Sequence, residues 1–386
     1  MLIIDIIGIS ILAIFLLFIF QKKRKMLSDY VLIITMVLIS IIFISDIWVR
    51  SGLNEFNFIL EKLVSFYILP TFLTYSMLLI SKDNKLKKEW WWFGSFAIAF
   101  TIFILVDFVL LTDYDSEKLT TQYKTPSYLY QFFYRGGNVF VFVALLWYLN
   151  KLKQYRKKIK DDYSFIETIR LTWLGNFTWV YFINNLFVFL ISLAFSFWHI
   201  GSLSILYIIV YTSIVISLFY LCYNGIRQYS LAEYESALKL NKINAEDRTA
   251  VIEEKEGNSL PKYQSSSLSE DEMGALFSKI EQLFELDKIY LEPQLKIQDL
   301  SESINVTTHN ISQTINSIAQ QSFYDFVNGF RVKHFKSLLS NPENRKYTIL
   351  ALGIESGFNS KATLNRIFKK QVGISPKEYQ KAQAKD

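Results

Sequence analysis

The apolar positions of this 386-residue chain are not spread evenly. Long runs of Ile, Leu, Phe, Val and Trp fill the first 225 or so positions, and the remainder alternates like an ordinary soluble sequence. Seven stretches, 2–20, 29–48, 57–80, 90–112, 130–150, 171–197 and 203–224, are long enough to cross a bilayer. About 20 apolar residues suffice, because each helical residue rises about 1.5 Å across a hydrocarbon core of about 30 Å. Beyond residue 268 the period becomes that of short amphipathic helices. The expected class is therefore all-α: a seven-transmembrane-helix bundle followed by a soluble helical domain. The expected organisation is a membrane domain at 1–224, a helical and then flexible cytoplasmic linker at 225–268, and a second domain at 269–386.

Charge gives the bundle a direction. Basic residues in successive loops run four, one, four, two, seven, none: Lys22–Lys25, then Arg50, then Lys82–Lys88, then Lys118 and Lys124, then Lys151–Lys160 with Arg170, then an uncharged turn. Every second loop is basic, which by the positive-inside rule puts the N-terminus outside and the C-terminus in the cytoplasm. The first apolar run has its basic cluster QKKRK behind it, the reverse of a cleaved signal peptide, and reads as a retained helix. The run KLKQYRKKIK serves as a topology signal or as a contact for anionic lipid. Trp90, Trp91 and Trp92 stand at the cytoplasmic start of the fourth stretch, where an aromatic belt is expected.

Past Asn224 the chain turns polar, and good helix formers from Arg227 to about Asp247 predict that the last span continues as a helix. Leu231, Tyr234 and Leu238 have a/d spacing, which fits either a short dimer coil or a plain solvated helix. The stretch GNSLPKYQSSSLSE then reads as a flexible linker.

Two later segments have the pattern of helix-turn-helix units. In IQDLSESINVTTHNISQTINSIA, Leu300, Ile304, Ile311 and Ile315 fall at core spacing, Asn305 stands at the turn and Thr307 can cap the second helix. In TILALGIESGFNSKATLNRIFKK the core positions are Ile349, Leu352, Phe358, Leu364 and Phe368. Gly357 stands where the turn needs positive φ, and Ser360 or Asn359 can cap the next helix. The units repeat: Val306 and Phe358 are 52 apart, and SFYDF (322–326) matches SPKEY (375–379) at an offset of 53. Between them Phe323, Phe326, Val327 and Phe330 mark an apolar stripe that would tie the two units into one body.

The string GFNSKATLNRIFKKQVGISPKEY resembles the signature of AraC-type transcriptional regulators. Gly357, Phe358, Ser360, Leu364, Arg366, Phe368, Lys369, Gly373, Pro376 and Tyr379 fall on it in one register. The resemblance reaches back through FVNGFRV and DLSESI to about Glu272, while Gly353 stands for a usual Ala and Gln320–Gln321 where Gly is common. NGIRQ (224–228) and KYQSSSLSEDE (262–272) are similar to the joint of seven-helix members of that family. The resemblance implies a partner, double-stranded promoter DNA, with the second helix of each unit in a major groove. Carried over position by position, the base-facing residues are His309, Asn310, Ser312 and Gln313 in the first unit and Lys361, Thr363, Asn365 and Arg366 in the second. Arg and Lys suit guanine, Asn and Gln adenine, and Thr a methyl group. Charge agrees: positions 270–330 hold three basic and ten acidic residues, and 331–385 hold twelve basic and three acidic.

The other chemistry-bearing residues change little. One cysteine, Cys222, and three scattered histidines, His199, His309 and His334, form no metal-ligand spacing, so no metal and no cofactor is expected. No phosphate loop, nucleophile elbow or kinase signature is present, which leaves no catalytic residue to name and no enzyme to expect. Ionisable residues at the outer end of the bundle, Asp46, Glu61 with Lys62, Asp107 and Arg135, admit two readings: a site for a small polar ligand, or structural ion pairs, Asp107 with Arg135 first among them. The reading that follows is a membrane-anchored sensor and DNA-binding regulator, with the lipid bilayer and promoter DNA as partners and a homodimer as one way to lengthen the site read. The alternative is a transporter-like membrane protein carrying a regulatory DNA-binding domain, against which stand the odd number of spans and Pro70 as the single in-span proline.

Overall fold

The computed structural model describes residues 2–50, 55–88, 92, 94–95, 97–102, 128–198, 204–228, 230–238 and 268–383. Among them the chain is helical, and its one β-type contact is an isolated antiparallel bridge between Tyr163 and Lys296. The chain forms two compact units. One comprises Met1–Leu152 with Leu171–Val251, the other Lys153–Arg170 with Ile252–Asp386. The sequence assigns 153–170 to the membrane domain; in the fold this segment belongs with the C-terminal residues.

The first unit is built from α1 (Leu2–Gln21), α2 (Leu27–Arg50), α3 (Glu55–Ile80), the N-terminal part of α4 (Tyr128–Asp162), α5 (Thr172–Trp198) and α6 (Ser204–Arg227). α2 packs most closely on α3, α1 lies on α2 and α6, and α5 lies on α6. Gly8 permits the approach of α1 to α2, since a Cβ there would stand 2.9 Å from the Phe43 ring. Several Ser and Thr hydroxyls in these helices are satisfied within their own helix. Thr35 Oγ1 donates to the Val31 carbonyl (2.9 Å), Ser76 Oγ to Phe72 (2.7 Å) and Thr178 Oγ1 to Leu174 (2.7 Å). Large apolar side chains face outward: Ile3 is 73% exposed, Leu17 64%, Ile183 60% and Ile216 65%. In water such a surface would be an association hazard, and in lipid it is the expected exterior.

Among the described residues four segments are long and apolar enough to cross a membrane by length and composition: Leu2–Gln21, Leu27–Trp48, Leu63–Ile80 and Thr172–Ile191. Helices α4 and α6 also cover the expected stretches 130–150 and 203–224. Most of the expected stretch 90–112 lies outside the described residues, with helical backbone at 92, 94–95 and 97–102.

The last span does not run on into the linker as the sequence predicts. α6 ends at Arg227 and a new helix occupies 231–238. The restart is a capping box: the Glu233 amide donates to Ser230 Oγ (3.1 Å) and the Ser230 amide to the Glu233 carboxylate (2.9 Å). Leu231, Tyr234 and Leu238 are all buried, so the expected a/d stripe is not an open face in the single chain. Glu233 also pairs with Lys22 (2.6 Å), which in turn holds Asp29 (2.9 Å).

The second unit carries α7 (Glu270–Glu285), α8 (Ile297–Ile304), α9 (Thr308–Thr314), α10 (Phe323–Ser340), α11 (Ile349–Glu355), α12 (Lys361–Val372) and α13 (Pro376–Gln383). Two cores form around two faces of α10. Phe323, Phe326 and Val327 join Leu276, Ile280, Phe284, Leu300, Ile311 and Ile315. Further along, Phe335 meets Phe358 (ring centroids 6.5 Å) and Phe368 (5.5 Å), with Leu352 and Leu364 buried nearby in sequence. Each fully buried side chain of this size contributes about 1.5–3 kcal/mol, which makes α10 the strut of the unit.

Gly357 adopts φ +87°, and a Cβ there would stand 2.6 Å from the Tyr290 carbonyl oxygen and 3.0 Å from Arg331 Nε. Gly357→Ala is therefore expected to cost about 2–4 kcal/mol through left-handed strain and overpacking. Hydrogen exchange at the Leu364 and Phe368 amides should accelerate accordingly. Unchanged exchange would show that the turn relaxes without cost.

Candidate nucleic-acid interface

Each helix-turn-helix unit is assembled by its caps. In the first, α8 ends at Asn305 in the left-handed region (φ 52°), where an Asn is tolerated, and Thr307 caps α9 by accepting from the Asn310 amide (3.3 Å). In the second, Thr348 caps α11 through the Ala351 amide (3.1 Å), Gly357 makes the turn, and Ser360 caps α12 through the Thr363 amide (3.2 Å). Asn359 does not cap. Its side-chain amide donates to the Pro293 carbonyl (3.1 Å) and ties the turn to the first unit.

The repeat in the sequence now has a structural meaning. Leu300 and Leu352 are 52 apart, while the caps Thr307 and Ser360 are 53 apart, so the second turn is one residue longer. The 53 offset persists to Ser322 and Ser375. Ser322 Oγ caps α10 by accepting from the Asp325 amide (3.2 Å), and Ser375 Oγ accepts from the Glu378 amide (3.3 Å) at the start of α13. The matching aromatic partners are Phe326, against Phe284 (5.0 Å), and Tyr379, against Phe368 (5.4 Å). Gln320, where a glycine would be free of strain, takes φ 53° at the end of a π turn (Ile315–Ala319) that continues α9.

Of the expected base-facing residues, His309 is exposed at the start of α9, and Asn310, Ser312 and Gln313 are half-buried along it. On α12, Lys361, Asn365 and Arg366 are exposed. Thr363 differs: it is 4% exposed, and its hydroxyl accepts from Ser360 Oγ (3.1 Å). Its place beneath the cap makes it a support of the first turn of α12, with its methyl turned from solvent. By the 53-residue offset Gln313 is the counterpart of Arg366 and Ser312 of Asn365. Arg366 donates to the Tyr324 hydroxyl and to the Glu167 carboxylate. Lys370 pairs with Asp325 at 2.9 Å.

Arg331 is the residue that sequence reading passes over. It stands inside the quoted string FVNGFRV and is 2% exposed. Its Nε donates to the Tyr290 carbonyl (2.7 Å) and its Nη2 to the Glu292 carbonyl (2.7 Å) and Ser164 Oγ (3.2 Å). Burial lowers its pKa to about 10, so it stays charged at neutral pH. The available signal was an arginine in the middle of an apolar helical stripe.

Asp46 is half-buried on α2. The side chains of Glu61 on α3 and Arg135 on α4, and the whole of Asp107, lie outside the described residues, and with them the expected Asp107–Arg135 pair.

Residues 300–382 match the family model of a helix-turn-helix domain. The C-terminal part of the chain is thus a helix-turn-helix domain of the kind carried by transcriptional regulators, and this supports a DNA-binding regulator of AraC type. The chain is 26% identical over 87 residues to the melibiose operon regulatory protein of Escherichia coli (strain K12), covering 22% of this chain and 28% of that protein. It is 26% identical over 101 residues to an uncharacterised helix-turn-helix-type transcriptional regulator of Staphylococcus aureus (strain COL), covering 26% of this chain and 13% of that one. The chain thus spans little more than a quarter of the length of the first of these relatives. No solved structure matches the chain significantly.

Arg331→Met should leave the Tyr290 and Glu292 carbonyls without their donor, at a cost of about 2–4 kcal/mol. Arg331→Lys should recover only part of it, because a single ammonium lacks the fork that reaches both carbonyls. Thermal unfolding of the full chain, followed by proteolysis of the C-terminal unit, reads both. Equal stability of wild type and Arg331→Met would remove Arg331 from this role.

Proposed function

We propose that the chain is a membrane-anchored, sequence-specific transcription regulator that carries a signal from a bacterial inner membrane to promoter DNA. The observation that carries the reading is the pair of capped second helices, α9 and α12, braced on the single helix α10. Lys361, Asn365 and Arg366 stand exposed on α12, and His309, Asn310, Ser312 and Gln313 lie along α9. In this reading these seven meet base edges or phosphates in two successive major grooves, and Thr363 supports α12 from beneath. The basic surplus between 331 and 385 supplies the sequence-independent attraction to DNA. Two copies on one promoter would lengthen the site read, through a surface other than Leu231, Tyr234 and Leu238.

The membrane part of the reading is a seven-span bundle with its N-terminus outside. A parity argument supports it. Lys22, just after α1, pairs with Glu233, just after α6, so the chain between them returns to the face it left. That return needs an even number of crossings. Helices α2 to α6 supply five, and the apolar stretch 90–112 supplies the sixth. With α1 the total is seven, and the basic loops fall on the cytoplasmic side. A small polar ligand at Asp46, Glu61, Asp107 and Arg135 is the signal this reading admits at the outer end.

Two measurements test the two halves. Arg366→Ala in the full chain is expected to cost about 1–3 kcal/mol on a duplex selected from random DNA and to relax preference at one base pair. A full chain that selects no sequence would refute the specific-regulator reading. Alkaline phosphatase fused after Ser202 should be active and fused after Gln228 inactive; the reverse pattern would overturn the topology.

A further inference from the structure

Residues 153–170 comprise the last turns of α4 and the link to α5, and they pack with the C-terminal residues in one compact unit. Their seat is built from backbone groups. The Ser164 amide donates to the Leu295 carbonyl (3.1 Å), Asn328 Nδ2 to the Ser164 carbonyl (3.3 Å), and Arg331 Nη2 to Ser164 Oγ (3.2 Å). Tyr163 forms the bridge with Lys296, and Tyr163, Ile166 and Ile169 are each 3% exposed or less. Seated in this way, the segment carries Glu167 to the second helix-turn-helix unit. Its carboxylate accepts from the Arg366 guanidinium and from the Tyr324 hydroxyl (3.2 Å), and Arg366 donates to Tyr324 as well. Burial first, and then the nearby carboxylate, push the Tyr324 phenol up to about 12, so it remains a donor.

A carboxylate offers Arg366 two acceptor oxygens side by side, and so does the O6/N7 edge of guanine. A negative charge at this position also repels phosphate. We propose that residues 163–170 are an internal competitor of DNA: Glu167 occupies the guanidinium of Arg366, and α12 engages a major groove only when the segment leaves its seat. The proposal rests on the reading of Arg366 as a base-contacting residue. The pair itself is modest, since Glu167 is 26% and Arg366 40% exposed. The bonds of Ser164 and the bridge at Tyr163 hold the segment, and the pair converts that hold into occlusion of one DNA contact. The segment is covalently continuous with α4 and α5, both read as spans, so a change in either helix bears directly on the seat. That is how a membrane event would shift the balance between a masked and an open regulator.

The test uses the full chain in lipid nanodiscs and a duplex that the wild type itself selects from random DNA. Glu167→Ala is expected to bind this duplex about two- to fivefold more tightly than wild type, the range of a partly exposed ion pair. In an Arg366→Ala background the same change should gain nothing, because the contact it frees is gone. Hydrogen exchange gives a readout that needs no variant: saturating duplex should speed exchange of the Ser164 amide as its bond to Leu295 opens. Equal or weaker binding by Glu167→Ala overturns the proposal. So does a gain that persists without Arg366, which would be simple charge removal, or a Ser164 amide equally protected with DNA bound. If Arg366→Ala alone binds as wild type does, the assignment of Arg366 as a base contact fails instead, and that result is separate from the others.

Discussion

Taking a guanidinium out of water costs several kcal/mol unless its donors find acceptors, and Arg331 meets that condition by drawing three parts of the chain together. Its donors reach the carbonyls of Tyr290 and Glu292, in the turn before the first helix-turn-helix unit, and the hydroxyl of Ser164, in the segment between α4 and α5. Gly357, at the turn of the second unit, lies so close to Nε and to the Tyr290 carbonyl that no side chain fits. One buried cation on α10 thus ties together the turn before the first helix-turn-helix unit, the turn of the second and the seat of Ser164. With the donors pinned, a shift of α10 by one residue would leave two carbonyls and a charge unsatisfied.

The consequence for function is geometric. In the proposed reading the second helices of the two units reach adjacent grooves only if their spacing is constant, and that constancy comes from a strut with a core on each side. Phe323, Phe326 and Val327 anchor one end, and Phe335 with its Phe358 and Phe368 partners anchors the other. The extra residue in the second turn is absorbed at Asn359, whose side chain reaches back to Pro293. A difference in turn length between the repeats is thereby converted into a tie between them.

The first unit follows a different constraint. Large apolar side chains stand on its exterior, several Ser and Thr hydroxyls are satisfied within their own helices, and Lys22, Asp29 and Glu233 meet beside the end of α1. A backbone in hydrocarbon has no water to fall back on, so helices are the economical answer. The break at Gln228–Ser230 lies beside Glu233, where a capping box can replace the lost helical bonds.

Much of this was legible in the chain itself. Apolar run length marked the helices of the first unit, because the period and length of a span are local properties. Caps were legible for the same reason: Thr307, Asn305, Gly357 and Ser360 act on neighbours within a few residues, and each stands where the spacing placed it. The Ser322 and Ser375 repeats were visible as strings before they were visible as caps. Burial and long-range pairing were not legible. Whether Thr363 faces a groove or the core depends on the rotation of α12 against α10, which its own sequence leaves open. Leu231, Tyr234 and Leu238 have the same spacing whether they meet another copy or the interior of their own unit. The contact of Glu167 with Arg366, 199 residues away, depends on Ser164 finding Arg331 and Leu295. Local pattern sets the helices and their ends, and only the packed chain decides which polar groups must share one small volume.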